Sequence, residues 1–380
     1  MNFDYSEEQQ LLAESVRRFV ARDYAFENRK KILASPAGMS DEVWGTFAQM
    51  GLLALPLPAD AGGFGGGAVD LMSVMEAIGE ALVVEPFLAT VGLGAQLVAR
   101  AGTEEQKRNL LPAVAEGAAK LAFACTEPGS RYDLARIATR ARRDGAGYFI
   151  NGEKRVVLGG PWADRFVVSV RTAGGGTDAH GVSLLLVDAN TPGIKRTDYV
   201  MLDGQRACDL RFDGARVPAG ALLGHEGEAL AAIESVVDFA TALVCAEAVG
   251  AIRYANEATL EYLKTRKQFG VPIGSFQALQ HRMVDMTITY EQARSMASLA
   301  CTAVDGGGDA AERRRAVSAA KIKIADACRH VSQEAVQLHG GMGMTDELKV
   351  SHTFRRLTLI AQQFGDADHH LARYASAGHH

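Results

Sequence analysis

The chain has 380 residues, enough for two or three domains with large cores, and 48% of them are hydrophobic and 22% charged, as in an ordinary globular protein. Its formal net charge of −5, without a long basic run, argues against nucleic acid as the main partner. The amino-terminal stretch predicts no signal peptide, and no apolar run predicts a membrane span. Five cysteines without a CxxC pair predict a reducing, cytoplasmic location.

The first predicted domain, residues 1–118, is helical. Apolar residues recur at helical spacing in several stretches, and Ser6 is placed to cap the first helix. The glycine-rich loop at 56–67 lacks both the Lys-Ser/Thr pair and the preceding strand of a phosphate-binding loop. We therefore interpret this loop as a flexible connector.

Residues 119–225 form the second predicted domain, where the hydrophobic period changes to that of strands. Short β-branched or alternating runs are bounded by Gly, Pro, Asn and Asp. They lie too close together to hold crossover helices, so they predict an antiparallel sandwich or barrel. Residues 226–380 return to long, Ala-rich helices with turns at 306–308 and 339–347, which predict a C-terminal four-helix bundle. The predicted class is a multidomain α+β protein with the order helical, β, helical.

One carboxylate lies on the most apolar face of a predicted helix. In "ALVCAEAVGAI", residues 242–252, small and apolar residues at helical spacing share the face of Glu247. An unpaired carboxylate there would be costly or would keep its proton at neutral pH. Glu247 is therefore a general base in an apolar pocket, the buried partner of an arginine such as Arg282 or Arg294, or part of a subunit contact.

A second chemistry-bearing stretch is "YLKTRKQFGVPIGSFQALQHR", residues 262–282. Arg266 suits a phosphate or pyrophosphate, and Phe269 and Phe276 suit a flat ring system. The alternative is a helix–turn–helix with aromatic residues in the core and a solvated basic face.

Five motifs in order along the whole chain resemble those of the acyl-CoA dehydrogenases, and the helical–β–helical order agrees. They are "TEP" (126–128), "NGEK" (151–154), "TRKQFG", "FQALQH" and "QLHGGMGMT" (337–345). "SRYDL" (130–134), "CAEAVGA" (245–251) and "FGDADHHLAR" (364–373) resemble the two-chain branch of that family. The resemblance implies α,β-dehydrogenation of an acyl-CoA, including a dicarboxylic one such as pimeloyl-CoA, in β-oxidation.

The resemblance also implies FAD, bound between the β domain and the C-terminal helices and completed by a neighbouring subunit. It assigns Arg266 to the pyrophosphate and Thr126 to a hydrogen bond with flavin N5 or O4, which favours the negative charge of the reduced ring. The other implied FAD contacts are Gln268, Phe269, Ile273 and Gln277 at the adenosine, Gln337, Gly340 and Gly341 across an interface, and Phe123 and Cys125 along the flavin. Glycine would let backbone N–H groups approach phosphate oxygens.

The chain departs from the family where the flavin ring and the catalytic base are expected. Arg131 and Tyr132 replace a Gly-Ser pair, and Val156 and Leu158 replace a Trp and a Thr. Phe364 or Gly365 stands where the family carries its glutamate base. Some relatives carry the base on the helix of Glu247, at the position of Ala240. Glu247 lies two turns further along nearly the same face, about 10 Å along the axis.

Three functional interpretations remain open. The chain is a dehydrogenase subunit with its own base, a non-catalytic subunit that completes a flavin site, or a flavin monooxygenase of the same fold. The implied partners are an acyl-CoA, a related larger dehydrogenase subunit and an electron-transfer flavoprotein; no dinucleotide fingerprint predicts NAD. No metal site is predicted, because His369 and His370 diverge by about 100° on a helix.

Overall fold

The computed structural model describes residues 6–145 and 147–377. The first segment is helical, as predicted, and Ser6 caps the first helix. Its hydroxyl accepts the Gln9 amide at 3.2 Å, and the Gln9 side chain accepts the Ser6 amide at 2.9 Å. The helices here are α1 (Glu7–Asp23), α2 (Phe26–Ala34), α3 (Asp41–Gln49), α4 (Ala68–Ala81), α5 (Ala95–Ala101) and α6 (Glu104–Ala115), with a π-helical turn at Leu88–Gly94.

The middle segment forms one sheet of eight strands. They are β1 (Leu121–Ala124), β2 (Arg140–Asp144), β3 (Gly147–Leu158), β4 (Arg165–Arg171), β5 (Val182–Asp188), β6 (Ile194–Val200), β7 (Arg206–Pro218) and β8 (Leu222–Leu223). Their order is β6-β7-β3-β2-β4-β5-β8, with β1 beside β4. The predicted β domain between helical segments is confirmed, but the sheet is mixed. Strand β4 pairs in parallel with β1 and with β2, because the chain between β1 and β4 is long enough to return in the same direction.

Burial along the strands follows their place in the sheet. Strand β4, flanked on both sides, is buried at nearly every residue, whereas edge strand β6 is exposed along most of its length. Charged residues on β6 discourage pairing with another chain. The core of the sheet consists of side chains that include Tyr148, Ile150, Phe166, Val168, Val170, Leu185, Val187, Leu210 and Phe212.

Helices return after the sheet, as predicted. They are α7 (Leu230–Thr265), α8 (Gln277–Asp305), α9 (Ala310–His339), α10 (Lys349–Gln362) and α11 (Ala367–Ser376). A small hairpin of β9 (Lys267–Gln268) and β10 (Val271–Pro272) joins α7 to α8. The glycines at 306–308 separate α8 from α9, and a 3-10 turn at Gly340–Met344 follows α9.

By compactness, the chain groups into two units. The helical unit comprises residues 1–34, 67–83 and 241–380, and the sheet unit comprises residues 35–66 and 84–240. The amino-terminal helices are thus shared between the two units, and the division falls within α7. The sequence-based domain boundaries at 118 and 225 remain a prediction.

Helix α7 corrects one expectation from the sequence. It is long and apolar enough to cross a membrane by length and composition alone, with a mean hydropathy of 1.7 over its best window. However, 89% of that window is buried inside the protein, so the helix belongs to the core. In the sequence, the charged residues Asp238 and Glu247 interrupt this apolar run, so that no uninterrupted stretch is long enough to predict a membrane span.

Within the helical unit, α4 and α7 pack with their backbones in direct contact. A Cβ added at Gly250 would lie 1.8 Å from the carbonyl oxygen of Glu76, and one at Gly79 would lie 1.9 Å from that of Glu247. Only glycine permits such an approach. The crossing therefore places the Glu247 backbone against α4, in the interior of the unit.

Candidate functional site

A cavity of about 570 Å³ opens in the helical unit where the end of α7, the β9–β10 hairpin, the start of α8 and the end of α9 meet. It brings together six residues that the resemblance assigned to FAD, namely Arg266, Gln268, Ile273, Gln337, Gly340 and Gly341. The sequence placed the last three across a subunit interface. Within one chain they already share a cavity with Arg266, because α9 ends beside the end of α7.

The polar groups of this cavity fit an anionic dinucleotide. The Arg266 guanidinium has no hydrogen-bond or ion-pair partner among the residues that the structure describes. Gly340 has a φ of +60°, and a Cβ at Gly340 or Gly341 would meet nothing within 4 Å, so a ligand can approach the backbone closely. One detail differs from expectation: the Gly340 N–H bonds to the Gln337 carbonyl, so it is not offered to a phosphate. The positive charge for a phosphate comes from Arg266.

An aromatic pair that sequence reasoning missed also lines the cavity. The rings of Tyr262 and His339 stack with centroids 4.5 Å apart and an interplanar angle of 27°. His339 Nδ1 donates to the Ala335 carbonyl at 2.8 Å, and burial lowers the pKa of His339, so the ring is neutral with Nε2 as an acceptor. His339 lies within the motif "QLHGGMGMT", and Tyr262 begins the stretch "YLKTRKQFG", which was the available signal.

Two of the contacts predicted for the adenosine do not line the cavity. Phe269 lies at the hairpin tip with φ +55° and is 91% exposed, and Gln277 begins α8 outside the lining. Phe269 meets Phe276 edge to face, with centroids 6.2 Å apart. Because Phe276 is also 40% exposed, the alternative in which these aromatics belong to the core is wrong.

The predicted flavin-ring residues lie in the sheet unit, at the end of β1. Phe123 is buried, and Cys125 and Thr126 are half-buried. Burial raises the pKa of the Cys125 thiol, which makes it a poor nucleophile. The Thr126 carbonyl accepts the Arg155 amide of β3 at 2.8 Å. The segment is thus held to β3 by its backbone.

Directly after Thr126 lies a buried ion pair that sequence reasoning did not single out. Lys154 Nζ lies 2.7 Å from Glu127 Oε1, and the two residues are 0% and 5% exposed. Burial opposes ionisation of Glu127, but the charge of Lys154 and the surrounding N–H donors lower the pKa of Glu127. The signal was present in the sequence, because "TEP" and "NGEK" each carry one member.

Glu247 is paired with an arginine, and both residues are buried in the helical unit. The Nε and NH2 atoms of Arg356 on α10 donate to its two carboxylate oxygens at 2.6 and 2.8 Å. The side chains are 3% and 4% exposed. The partner is neither of the arginines named from the sequence; Arg282 pairs with Glu334 instead. Both oxygens of this carboxylate are engaged by a buried guanidinium, which favours the ion-pair role over that of a base.

The position of the family base is a constrained turn between α10 and α11. Phe364 has φ +61° and Gly365 φ +128°, both in the left-handed half of backbone space. A Cβ on Gly365 would lie 2.6 Å from the rings of His369 and His370, so only Phe364 can carry a side chain there. Asp366, the next carboxylate, caps α11 by accepting the His369 amide at 2.8 Å.

Two buried groups hold this turn. Lys321 Nζ donates to the carbonyls of Ala361 and Gly365 at 3.2 and 2.8 Å. His370 Nε2 donates to the Phe364 carbonyl at 3.2 Å, and its Nδ1 accepts the Ser318 hydroxyl at 3.2 Å. Burial lowers the pKa of His370 to about 2, so the ring is neutral. These hydrogen bonds hold the Phe364–Gly365 turn, and neither of its two residues carries a carboxylate.

The helical unit thus has a cavity whose lining suits an anionic dinucleotide, and comparisons with known proteins specify the family. Three family models match the chain. The model "Acyl-CoA dehydrogenase, N-terminal domain" matches residues 6–118, the "middle domain" model of the same family matches residues 122–215, and its "C-terminal domain" model matches residues 230–377. The acyl-CoA dehydrogenase FadE12 of Mycobacterium tuberculosis is 33% identical over 372 residues, covering 95% of this chain and 93% of FadE12. The chain belongs to the acyl-CoA dehydrogenase family.

Two solved structures have the same fold. The FAD complex of PigA is 27% identical with a TM-score of 0.91, covering 99% of this chain and 98% of that one. The ChsE4-ChsE5 complex from Mycobacterium tuberculosis is 26% identical with a TM-score of 0.87, covering 99% and 98%. The family consists of FAD-dependent oxidoreductases acting on acyl-CoA, and FAD is accordingly the cofactor of this chain.

Proposed function

We propose that this chain is one subunit of a two-chain acyl-CoA dehydrogenase and that the partner chain supplies the catalytic base. The observation that carries the proposal is the Phe364–Gly365 turn, where two residues without a carboxylate, held by hydrogen bonds to their carbonyls, replace the family's glutamate. The remaining candidate, Glu247, has both oxygens bound to Arg356. A base must be free to approach the α-carbon of the substrate, and this one is not.

The cofactor residues divide their tasks. Arg266 would hold the pyrophosphate, and the Tyr262–His339 stack, Gln268, Ile273 and Gln337 would receive the rest of the adenosine end. Cys125 and Thr126 would lie along the flavin, with the Thr126 hydroxyl as a hydrogen-bond donor to the ring. Phe123 would also lie along the flavin, and Phe269 and Gln277 would contact the adenosine from outside the cavity of the single chain. Bound FAD supplies the acceptor for the hydride that leaves the β-carbon of the acyl thioester.

Two further points support an assembly of different chains. The ChsE4-ChsE5 structure is, by its own description, a complex of two named components. The motifs at 130–134, 245–251 and 364–373 resemble most the small subunit of pimeloyl-CoA dehydrogenase. We therefore propose acyl-CoA thioesters, including dicarboxylic ones, as substrates in β-oxidation, a related larger subunit as the partner, and a cytoplasmic location.

Co-expression with the dehydrogenase-like product of a neighbouring gene tests the proposal. The complex should contain two copies of each chain, hold fewer FAD molecules than chains, and turn over an acyl-CoA with an artificial electron acceptor. This chain purified alone should hold little FAD, because Val156 and Leu158 replace two ring contacts of the family. A homotetramer with one FAD per chain that turns over acyl-CoA would overturn the two-chain proposal and return Glu247 as the leading base.

Restoring a carboxylate gives a second test. Phe364→Glu introduces the side chain where the backbone already accepts one, and we expect it to give the complex a second active flavin site or to give activity to this chain with added FAD. Gly365→Glu is the matched control, since its Cβ would strike the His370 ring and it should only destabilise the fold. If Phe364→Glu is folded, binds FAD and stays inactive, the turn does not face the reacting carbon.

A further inference from the structure

In the sheet unit, two short segments form one ledge: residues 125–127 after β1 and residues 154–156 within β3. Lys154 Nζ donates to the Cys125 carbonyl at 3.4 Å, and the Arg155 amide donates to the Thr126 carbonyl at 2.8 Å. The Val156 amide points away and donates to Asp209 at 3.1 Å. Lys154, Arg155 and Val156 thus each donate a hydrogen bond to a different residue, and the bonds from Lys154 and Arg155 hold the segment after β1.

The ledge carries backbone strain. The register between β3 and β7 shifts between Lys154 and Val157, and Val156 in this bulge has φ +52°. A β-branched residue in that region of backbone space is a true outlier and is strained. The bulge also leaves the apolar Val156 side chain 45% exposed. Strained bulges with exposed apolar groups occur beside functional sites, where they re-aim side chains.

Behind the ledge, the Glu127–Lys154 pair has all its bonds satisfied. Besides Glu127 at 2.7 Å and Cys125, Lys154 Nζ donates to Ser169 Oγ at 3.0 Å. Glu127 accepts the amides of Ala138 and Thr139 at 2.6 and 3.1 Å. The pair therefore ties the ledge to β4 and to the approach to β2.

Stability alone does not explain such a pair. Replacing a buried ion pair by apolar residues of similar volume is often neutral or stabilising, because desolvation offsets most of the attraction. What the pair does provide is a fixed direction for the carbonyl of Cys125 and for the backbone that carries Thr126. An apolar contact would leave that direction unspecified.

We propose that Glu127 and Lys154 are positioning residues for FAD, fixing the Cys125–Thr126 backbone against which the flavin ring lies. This rests on the proposed function, in which that segment contacts the ring. Neither side chain touches the cofactor, since both are buried. They act through the two carbonyls and through the hydroxyl of Thr126, whose direction sets its hydrogen bond to the flavin.

The test compares Glu127→Gln, Lys154→Met and the double variant with the wild-type chain, in whichever assembly the wild type binds FAD. Three quantities are measured: the melting temperature, the FAD dissociation constant by flavin fluorescence, and the visible circular dichroism of bound FAD. We expect FAD binding to weaken roughly tenfold, the effect typical of residues that orient the groups in direct contact with a ligand. The visible circular dichroism band of bound FAD should also change. The double variant should regain melting temperature while FAD binding stays weak.

Arg171→Met is the matched control, because Arg171 is also a buried cation of the sheet unit, bonded to the carbonyls of Ala135, Asp178 and His180. It should lose stability without a change in the FAD constant or spectrum. If the pair variants fail to fold, Ser169→Ala removes one hydrogen bond of Lys154, and FAD binding should weaken about threefold. Unchanged FAD binding and spectrum in folded variants overturn the inference and leave the proposed function standing; a wild type that binds no FAD in any assembly overturns both.

Discussion

At the scale of single residues, the Glu247–Arg356 pair shows how a charge becomes part of a core. Glu247 lies where α7 touches α4 through its backbone, and Arg356 of α10 reaches it with two short hydrogen bonds. Each group would be a costly unpaired charge without the other. The pair therefore fixes α7 against α10.

We predict that Glu247→Gln destabilises the protein by roughly 3–5 kcal/mol, because Arg356 then keeps a buried charge without a counterion. FAD binding should be unchanged. The measurement is urea unfolding at pH 7 together with FAD titration. Normal stability combined with flavin reduction slowed by several orders of magnitude would instead identify Glu247 as the base.

Arg266 gives a prediction about the cofactor cavity. Arg266→Ala should weaken FAD binding by about 1.5–3 kcal/mol, since a charge-assisted contact to phosphate is lost from a guanidinium with no protein partner among the described residues. Fluorescence titration with FAD measures this. Arg329→Ala is the control, because Arg329 pairs with Asp326 on the exposed face of α9. Equal affinities in the two variants would remove Arg266 from the site.

His370 gives a prediction about pH. Burial, aided by the charge of Lys321, lowers its folded-state pKa to about 2, whereas the unfolded chain takes up a proton near the ordinary value of about 6.5. Titration of His370 therefore costs no stability above about pH 6.5. Below that pH it lowers the free energy of unfolding by up to about 1.4 kcal/mol per pH unit. Urea midpoints at pH 7.5 and 5.5 should differ less in His370→Gln than in the wild type. Exposed His281→Gln is the control and should keep the full difference.

At the scale of elements, the α4–α7 crossing depends on two glycines. Gly250→Ala should destabilise the protein by at least about 3 kcal/mol, because its Cβ would lie 1.8 Å from a backbone oxygen that cannot move independently. Gly45→Ala in α3 is the matched control: nothing lies within 4 Å of the added Cβ, and a gain of about 0.5–1 kcal/mol is expected. Thermal unfolding of both variants measures the contrast. Similar melting temperatures would mean that the two helices can separate at little cost.

The bulge in β3 is the corresponding feature of the sheet unit. Asp209 accepts hydrogen bonds from both the Val156 amide and the Tyr199 hydroxyl. Burial, and then the hydrogen bond to Asp209, raise the pKa of Tyr199 to about 12. The tyrosine therefore stays protonated and keeps donating to Asp209. A side chain of β6, a neighbouring residue of β7 and the strained part of β3 are thus joined in one hydrogen-bonded group.

At the scale of the whole molecule, the proposed assembly determines where electrons go. We predict that the co-expressed complex, reduced by its acyl-CoA, reduces an electron-transfer flavoprotein and leaves NAD unreduced, because the chain has no dinucleotide fingerprint after a strand. Absorbance of the flavoprotein and of NADH, followed in parallel, measures both. NADH formation at a comparable rate would contradict this, and oxygen consumption coupled to substrate hydroxylation would favour the monooxygenase alternative.

The amino-acid sequence determined those features that depend on neighbours along the chain. Hydrophobic period separated the helical segments from the strands, and the Ser6 capping box began α1 where expected. Six assigned FAD residues proved to share a cavity, because each group lies within a few residues at the end of one element: Arg266, Gln268 and Ile273 after α7, and Gln337, Gly340 and Gly341 after α9. Such local motifs keep their geometry wherever the element packs.

Only the tertiary structure decided the features that depend on residues far apart in sequence. The helical spacing of apolar residues showed that Glu247 points into the core. Its partner, however, lies 109 residues away on α10, and the sequence offered several arginines as candidates. The parallel pairing of β1 with β4, the stack of Tyr262 on His339, and the bond from Lys154 to Glu127 are of the same kind. Side-chain period fixes which way a residue points, whereas which group it meets is set by the packing of whole elements against one another.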